Sequence, residues 1–92
     1  MTYRNTNKRD ANEGPIVELW RAAGCELIQL RPGQGADWVV IASNGVHVVE
    51  IKNPDGWQYT DAELALKNSA EELGQRYETV FTIEDAARMI GR

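Results

Sequence analysis

Asp37-Trp38-Val39-Val40-Ile41-Ala42-Ser43-Asn44-Gly45-Val46-His47-Val48-Val49-Glu50-Ile51-Lys52 decides the fold. Trp38 to Ala42 and Val46 to Ile51 are rich in β-branched residues, and Ser43-Asn44-Gly45 between them signals a hairpin turn. Both alternating sets are apolar, one with Val39, Ile41, Val46 and Val48, the other with Trp38, Val40, Val49 and Ile51. Strands of that kind belong at the centre of a sheet with both faces covered. Charge is confined to one end, with Asp37 before the first strand and Glu50 and Lys52 where the second leaves. A two-residue Asn44-Gly45 turn would pair Ser43 with Val46, Ile41 with Val48, Val39 with Glu50 and Asp37 with Lys52. All three charges then share a face, with directly opposite residues roughly 5 Å apart and diagonal ones about 7–8 Å. A register shifted by one would separate Asp37 from the other two.

Outward from the hairpin, Asp10 or Asn12 can cap a first helix whose apolar stripe is Ile16, Leu19, Trp20 and Ala23, with Pro15 in its first turn and Gly24 ending it. Cys25 to Leu30 reads as a strand, and Arg31-Pro32-Gly33-Gln34-Gly35 as a loop. Asn53-Pro54-Asp55-Gly56 stops the hairpin. Thr60 and Glu63 form a capping-box pattern for a helix to about Leu73, closed by Gly74. Thr79 to Thr82 is a short strand, and Thr82 caps a last helix, Ile83 to Ile90, with Ile83, Ala86, Ala87 and Ile90 on one face. The order α-β-β-β-α-β-α predicts an α/β fold, a small mixed sheet flanked by helices. Residues 1–9 read as a flexible basic N-terminal arm, and residues 10–92 as a single domain.

The 92 residues, 42% hydrophobic, suffice for one core. No apolar run approaches the roughly 18 residues of a membrane span, and Met1 to Asp10 lacks the apolar middle of a signal peptide, so a cytoplasmic location is expected. With one cysteine and one histidine, no disulfide and no Cys/His zinc cluster can form, so a metal must be held by oxygen. A net charge of −4 argues against coating nucleic acid by phosphate neutralisation alone. The charge is uneven, however. Arg4, Lys8 and Arg9 stand on an acid-free arm, whereas Glu71, Glu72, Glu78, Glu84 and Asp85 crowd the last third.

Two carboxylates and a lysine at one strand end suit phosphodiester hydrolysis. Asp37 and Glu50 can hold Mg²⁺ or Mn²⁺ in an oxygen shell that keeps several waters, and the Lys52 ammonium can orient a water or offset charge in the transition state. The bland alternative is a solvated salt bridge, such as Lys52 with Asp37. Two features weigh against it. The loop before Asp37, with Gly33 and Gly35, brings backbone close to the site and can admit a phosphate chain. Glu13 also falls one turn ahead of Ile16 and Val17, on the stripe facing the sheet, where a carboxylate is otherwise costly. Trp57 and Tyr59, just beyond Lys52, are candidates to stack on unpaired bases or to pack under their loop. Trp20, Trp38, His47 and Cys25 read as structural, and Glu71-Glu72 as a solvated helix face.

At these residues the chain resembles the PD-(D/E)XK nucleases, and within them the small phage-type VRR-NUC and archaeal Holliday-junction resolvase branches. The matching features are Asn12-Glu13-x-x-Ile16-Val17 leading to Ala23-Gly24, Gly35-Ala36-Asp37, Val49-Glu50-Ile51-Lys52, and the tail from Tyr59-Thr60 through Val80-Phe81-Thr82-Ile83-Glu84-Asp85-Ala86 to Ile90-Gly91. The resemblance spans roughly residues 9 to 91 and implies a restriction-endonuclease-like core and an Mg²⁺- or Mn²⁺-dependent endodeoxyribonuclease. It implies Asp37 and Glu50 as metal ligands, Glu13 as a ligand directly or through water, the Ile51 carbonyl as a further one, and Lys52 as the catalytic ammonium. Ala36 replaces the usual proline before the aspartate. The glutamine common early in the next helix has no clear counterpart, Glu63 being nearest.

The expected function is structure-selective cleavage of branched DNA, of Holliday-junction or flap type, by a homodimer without an organic cofactor or a membrane partner, in phage or prophage DNA processing. Arg4, Lys8, Arg9, Gln34, Gly35, Trp57 and Tyr59 are the expected DNA contacts. The alternatives are a catalytically silent nuclease-like module that binds branched nucleic acid or a protein, and an acidic mimic of nucleic acid.

Overall fold

The computed structural model describes residues 12–92. Its elements run α1 (Glu13–Ala22), β1 (Glu26–Gln29), β2 (Trp38–Ala42), β3 (Gly45–Ile51), α2 (Asp61–Glu72), β4 (Tyr77–Val80) and α3 (Ile83–Met89). The strands form one four-stranded sheet in the order β1-β2-β3-β4. β1, β2 and β3 are antiparallel neighbours joined by short connections, and β4 lies parallel to β3. A parallel neighbour needs a crossover, and α2 supplies it.

Periodicity sorts the residues of the sheet. Trp38, Val40, Val49, Ile51 and Val80 point to the face covered by α1 and α3, where Ile16, Val17, Trp20, Ala86, Met89 and Ile90 complete the core. Trp20 donates its indole N–H to the Ala86 carbonyl at 3.2 Å, which joins the two helices. His47 is fully buried on this face, in contact with the Glu78 carboxylate through Nδ1 and with Asn44 Oδ1 through Nε2 at 2.9 Å. It is a satisfied structural histidine.

The other face departs from the expectation of full cover. Helix α2 crosses it over β4 and carries no buried residue. On β1 and towards the hairpin turn, Ile28, Ile41 and Val46 remain 49%, 40% and 58% exposed. The strands are central because their hydrogen bonds are shared on both sides, although one helix shields only part of this face.

The hairpin register also differs by two residues from the expected one. Ala42 pairs with Gly45, Ile41 with Val46 and Val39 with Val48, so Ser43-Asn44 is the turn and Gly45 (φ 134°) belongs to the ladder. Asn44 explains the choice. Its side chain donates to the Met89 carbonyl at 3.0 Å and meets His47 Nε2, which pins the turn to the end of α3. Asn12 likewise does not cap α1. Its Nδ2 donates to the Phe81 carbonyl at 2.6 Å and to the Lys52 carbonyl at 3.3 Å, so the start of α1 is tied to the ends of β3 and β4. β4 begins two residues earlier than expected because Tyr77 and Glu78 pair with Val48 and Val49. Thr60 and Thr82 both close capping boxes, as their spacing predicts.

Candidate active site

Because strand side chains alternate, a shift of two keeps each side chain on its face, and the charges of the hairpin still converge. Asp37 brackets Glu50. Its N–H donates to the Val49 carbonyl at 2.9 Å and its Oδ2 accepts from the Ile51 N–H at 2.8 Å, the peptide groups on either side of Glu50. Lys52 reaches Glu50 Oε2 at 3.4 Å and Glu63 Oε1 at 2.8 Å. Glu63 arrives from the first turn of α2, where the same Oε1 accepts from the Thr60 N–H at 2.9 Å. The capping box thus does two things: it starts the helix and aims a carboxylate at the lysine. The sequence signalled only the first.

Glu50 is 4% exposed and its Oε1 is buried without a hydrogen-bond partner. Burial, then the charge of Asp37, then a hydrogen bond with Glu63 and its charge push the Glu50 carboxyl up to about 9, against the opposing pull of Lys52. Burial works against the Lys52 ammonium, yet the hydrogen bond to Glu63 and the charges of Glu50 and Glu63 hold it above its ordinary value. For Glu63, burial is outweighed by Lys52 and the Thr60 N–H, which keep its carboxyl below the usual range. Glu50 is therefore the carboxyl of the site biased towards its protonated form, beside the Lys52–Glu63 ion pair.

Asp37, Glu50 and Glu63 line a cleft of ≈ 490 Å³ whose walls are the β1–β2 loop, including Arg31 and Gly35, and the start of α2, including Thr60 and Asp61. Two contacts hold the walls together. Gly35, at φ 94°, lies so close to α2 that a Cβ there would sit 2.8 Å from the Ala62 carbonyl, and the Tyr77 hydroxyl donates to the Gly35 carbonyl at 2.7 Å. Burial and the charges of Glu50 and Glu63 raise Tyr77 further above its ordinary range, so it remains a neutral donor. Gly35 thus has a packing role besides the opening it gives the cleft.

The remaining candidates are placed less centrally. Glu13 accepts from the Trp38 indole N–H at 2.8 Å, on the α1 side of the residue next to Asp37. The carboxylates that act most strongly on Glu50 are Asp37 and Glu63. Ile51 takes part through its N–H to Asp37. Gln34 turns back on its own loop, its Oε1 accepting from the Arg31 N–H. Trp57 and Tyr59 lie beyond Lys52 in contact with each other. Arg4, Lys8 and Arg9 lie outside the described residues. Arg31, Thr60 and Tyr77 were missed as site residues by sequence reasoning; the Arg-Pro-Gly loop carried a signal for Arg31, but Tyr77 carried none because it fell outside the expected strand Thr79 to Thr82.

The donor set can be tested for a hard cation. Among the described residues no three His, Cys, Asp or Glu side chains are arranged to hold a metal ion by themselves. Mg²⁺ does not demand such a cage, since it binds through one or two carboxylates and completes its shell with water and phosphate oxygens. A buried carboxyl with an orphaned oxygen, held beside a second carboxylate in an open cleft, fits that mode. Asp37 and Glu50 are the residues that would hold the ion, displacing the proton of Glu50.

No family model matches this chain, and no curated protein does. A solved structure described as a VRR_NUC domain is similar over 88% of this chain and 96% of its own length, with a TM-score of 0.68 and 21% sequence identity. The chain has the fold of that domain: a mixed four-stranded sheet in the order α-β-β-β-α-β-α, with helices against its faces. Among the described residues, no helix is long and apolar enough to cross a membrane.

Proposed function

We propose that the chain is a metal-dependent, structure-selective endonuclease acting on branched DNA. One observation carries the reading: Glu50 lines the cleft with one oxygen, Oε1, buried and partnerless and the other, Oε2, 3.4 Å from Lys52, while Asp37 grips the backbone on either side of it. A carboxyl held uncharged by its surroundings is a poor structural element, since burial without full pairing costs stability, and is a ready cation ligand once a positive charge replaces its proton. The fold shared with a VRR_NUC domain supports the same class of chemistry.

Mg²⁺ or Mn²⁺, when bound, would polarise the scissile phosphate and acidify a bound water. Glu50 and Asp37 would hold the ion, and the hydrogen bond from the Ile51 N–H fixes the Asp37 carboxylate. Glu13 can join through water, and the Ile51 carbonyl is a further candidate ligand. Lys52, kept charged by Glu63, supplies an ammonium that can turn from its carboxylates to the phosphate or the attacking water. Arg31 and Thr60 on the walls of the cleft offer further donors to the phosphate chain. Arg4, Lys8, Arg9, Gln34 and Gly35 complete the proposed DNA contacts. Two strands must be cut at a branch, and a two-fold dimer places two sites around it, so we assign the working unit as a homodimer. Phage or prophage DNA processing in the host cytoplasm is the setting this chemistry suits.

The second reading, a silent module that binds branched DNA without cutting, is favoured by the ion pair that occupies Lys52 in the metal-free state. Cleavage of labelled flap, fork, four-way-junction and linear DNA with Mg²⁺ or Mn²⁺ separates the two. Metal-dependent cutting of a branched substrate that is lost in Asp37→Ala supports the nuclease. Binding without cutting under every condition selects the silent module.

A further inference from the structure

Trp57 is an expensive residue to leave where it stands. It is 44% exposed, whereas Trp20 and Trp38 are 0% and 9% exposed. A single exposed apolar side chain needs no explanation by itself. The bracing of this one does. Its ring meets Tyr59 at 5.1 Å with an interplanar angle of 79°, and Phe81 at 5.2 Å with an angle of 58°. Neither neighbour lies parallel to the indole. Tyr59 is itself fixed, its hydroxyl hydrogen-bonded to Thr79 Oγ1 and its ring edge-on to Tyr77 at 6.4 Å. Tyr77 in turn holds the Gly35 carbonyl on the wall of the cleft. A row of aromatic rings therefore runs from behind the wall of the cleft to a braced, half-exposed indole. Phe81 directly follows β4, and the Lys52 N–H donates to the Val80 carbonyl, so the row ends at the level of the sheet where the catalytic lysine leaves it.

We propose that Trp57 is a stacking platform for an unpaired nucleobase, which selects DNA with single-stranded nucleotides next to the cleaved phosphate. The inference rests on the nuclease reading and deepens it by naming what the branch must offer. A base in a duplex has both faces covered by its neighbours, so only an unpaired one presents a free face to an indole. The bracing lowers the entropy lost when the base lands, because the ring is held in place beforehand. Tyr59 acts as the brace and not as a second platform, since its hydroxyl and ring are engaged inward.

The test uses the full chain carrying Glu50→Gln, so that DNA bound with Mg²⁺ is not cut, and two short duplexes, one blunt and one with a single-stranded overhang. Trp57 is the exposed fluorophore among three tryptophans, and the overhang should quench it while the blunt duplex does not. Adding Trp57→Ala should weaken binding of the overhang DNA about tenfold and leave the blunt duplex unchanged, with Trp57→Phe retaining most of the preference. Equal weakening for both DNAs, or no quenching by bound overhang DNA, overturns the platform and leaves the nuclease reading intact when wild type still cuts. No binding of either DNA and no cutting by wild type overturns both.

Discussion

Replacing Glu50 with glutamine should make the metal-free protein more stable, by an amount that grows with pH. The folded carboxyl keeps its proton up to about 9, whereas an unfolded glutamate releases it near ~4.3. Between those values the unfolded chain binds fewer protons than the native one, so wild-type stability falls as pH rises, by about 1.4 kcal/mol per unit for one group. The native state is unpenalised below that window, and the loss is complete above it. At pH 7 roughly 2.7 units of the window have been crossed, a ceiling of about 3.7 kcal/mol. Asp37, Glu63 and Lys52 share the charge with Glu50, so an advantage of about 2–4 kcal/mol for Glu50→Gln is expected. Glutamine has nearly the same shape and can offer its oxygen to Lys52 and its amide to Glu63. The assay is urea unfolding of both proteins in EDTA at several pH values from about 4 to 9, spanning the window in which the two states differ in bound protons. The variant should match wild type at the acid end and exceed it at neutral pH, and Mg²⁺ should recover stability for wild type alone. Parallel stability curves across the range would refute the buried-proton account of the site.

Asp37→Asn should abolish cleavage while the metal-free protein unfolds at an equal or higher temperature, because the charge that repels Glu50 is gone and an oxygen remains for the Ile51 N–H; undiminished cutting would remove Asp37 from the site. Lys52→Ala should lose most turnover yet still bind Mn²⁺ in calorimetry, and collapse of that affinity would show that the lysine mainly organises the carboxylates. Glu63→Ala should lower stability by about 1–2 kcal/mol through loss of the capping box and the lysine pair, with Glu63→Gln keeping the cap; equal melting of the two variants would deny the cap any weight. Gly35→Ala should cost about 1–3 kcal/mol, since the backbone is left-handed there and the new methyl meets the Ala62 carbonyl, and an unchanged melting temperature would disprove that contact.

The order of the elements was legible because each carries its own local signal: β-branched runs for β2 and β3, capping boxes for α2 and α3, and glycines after α1 and α2. The convergence of Asp37, Glu50 and Lys52 was legible for a different reason. A hairpin that is apolar throughout leaves its few charges nowhere to go but one end. The register was misread because Asn-Gly is the strongest local turn signal, while the structure commits Asn44 to the Met89 carbonyl, a contact between residues far apart in sequence. The error did no harm to the site because it was even. Glu63 was recognised as a cap and overlooked as a partner of Lys52, since nothing in a capping box says which strand the helix will face. The bare half of the sheet could not be foreseen either, because alternation reports which residues are apolar and not how many helices arrive to cover them.

A helix without a single buried residue is attached by its first turn and by small partial contacts along one side. Its cohesion with the rest of the domain is therefore low, whereas α1, α3 and the central strands share one continuous core. In native-state hydrogen exchange, such a segment opens at a smaller free energy than global unfolding and releases its amides as a group. One wall of the cleft is mounted on that segment, with Glu63 and Thr60 at its head, whereas Asp37 and Glu50 stand on the central hairpin. If the α2 wall and the floor belong to different cooperative units, the width of the cleft can fluctuate without disturbing the floor on which the charges rest.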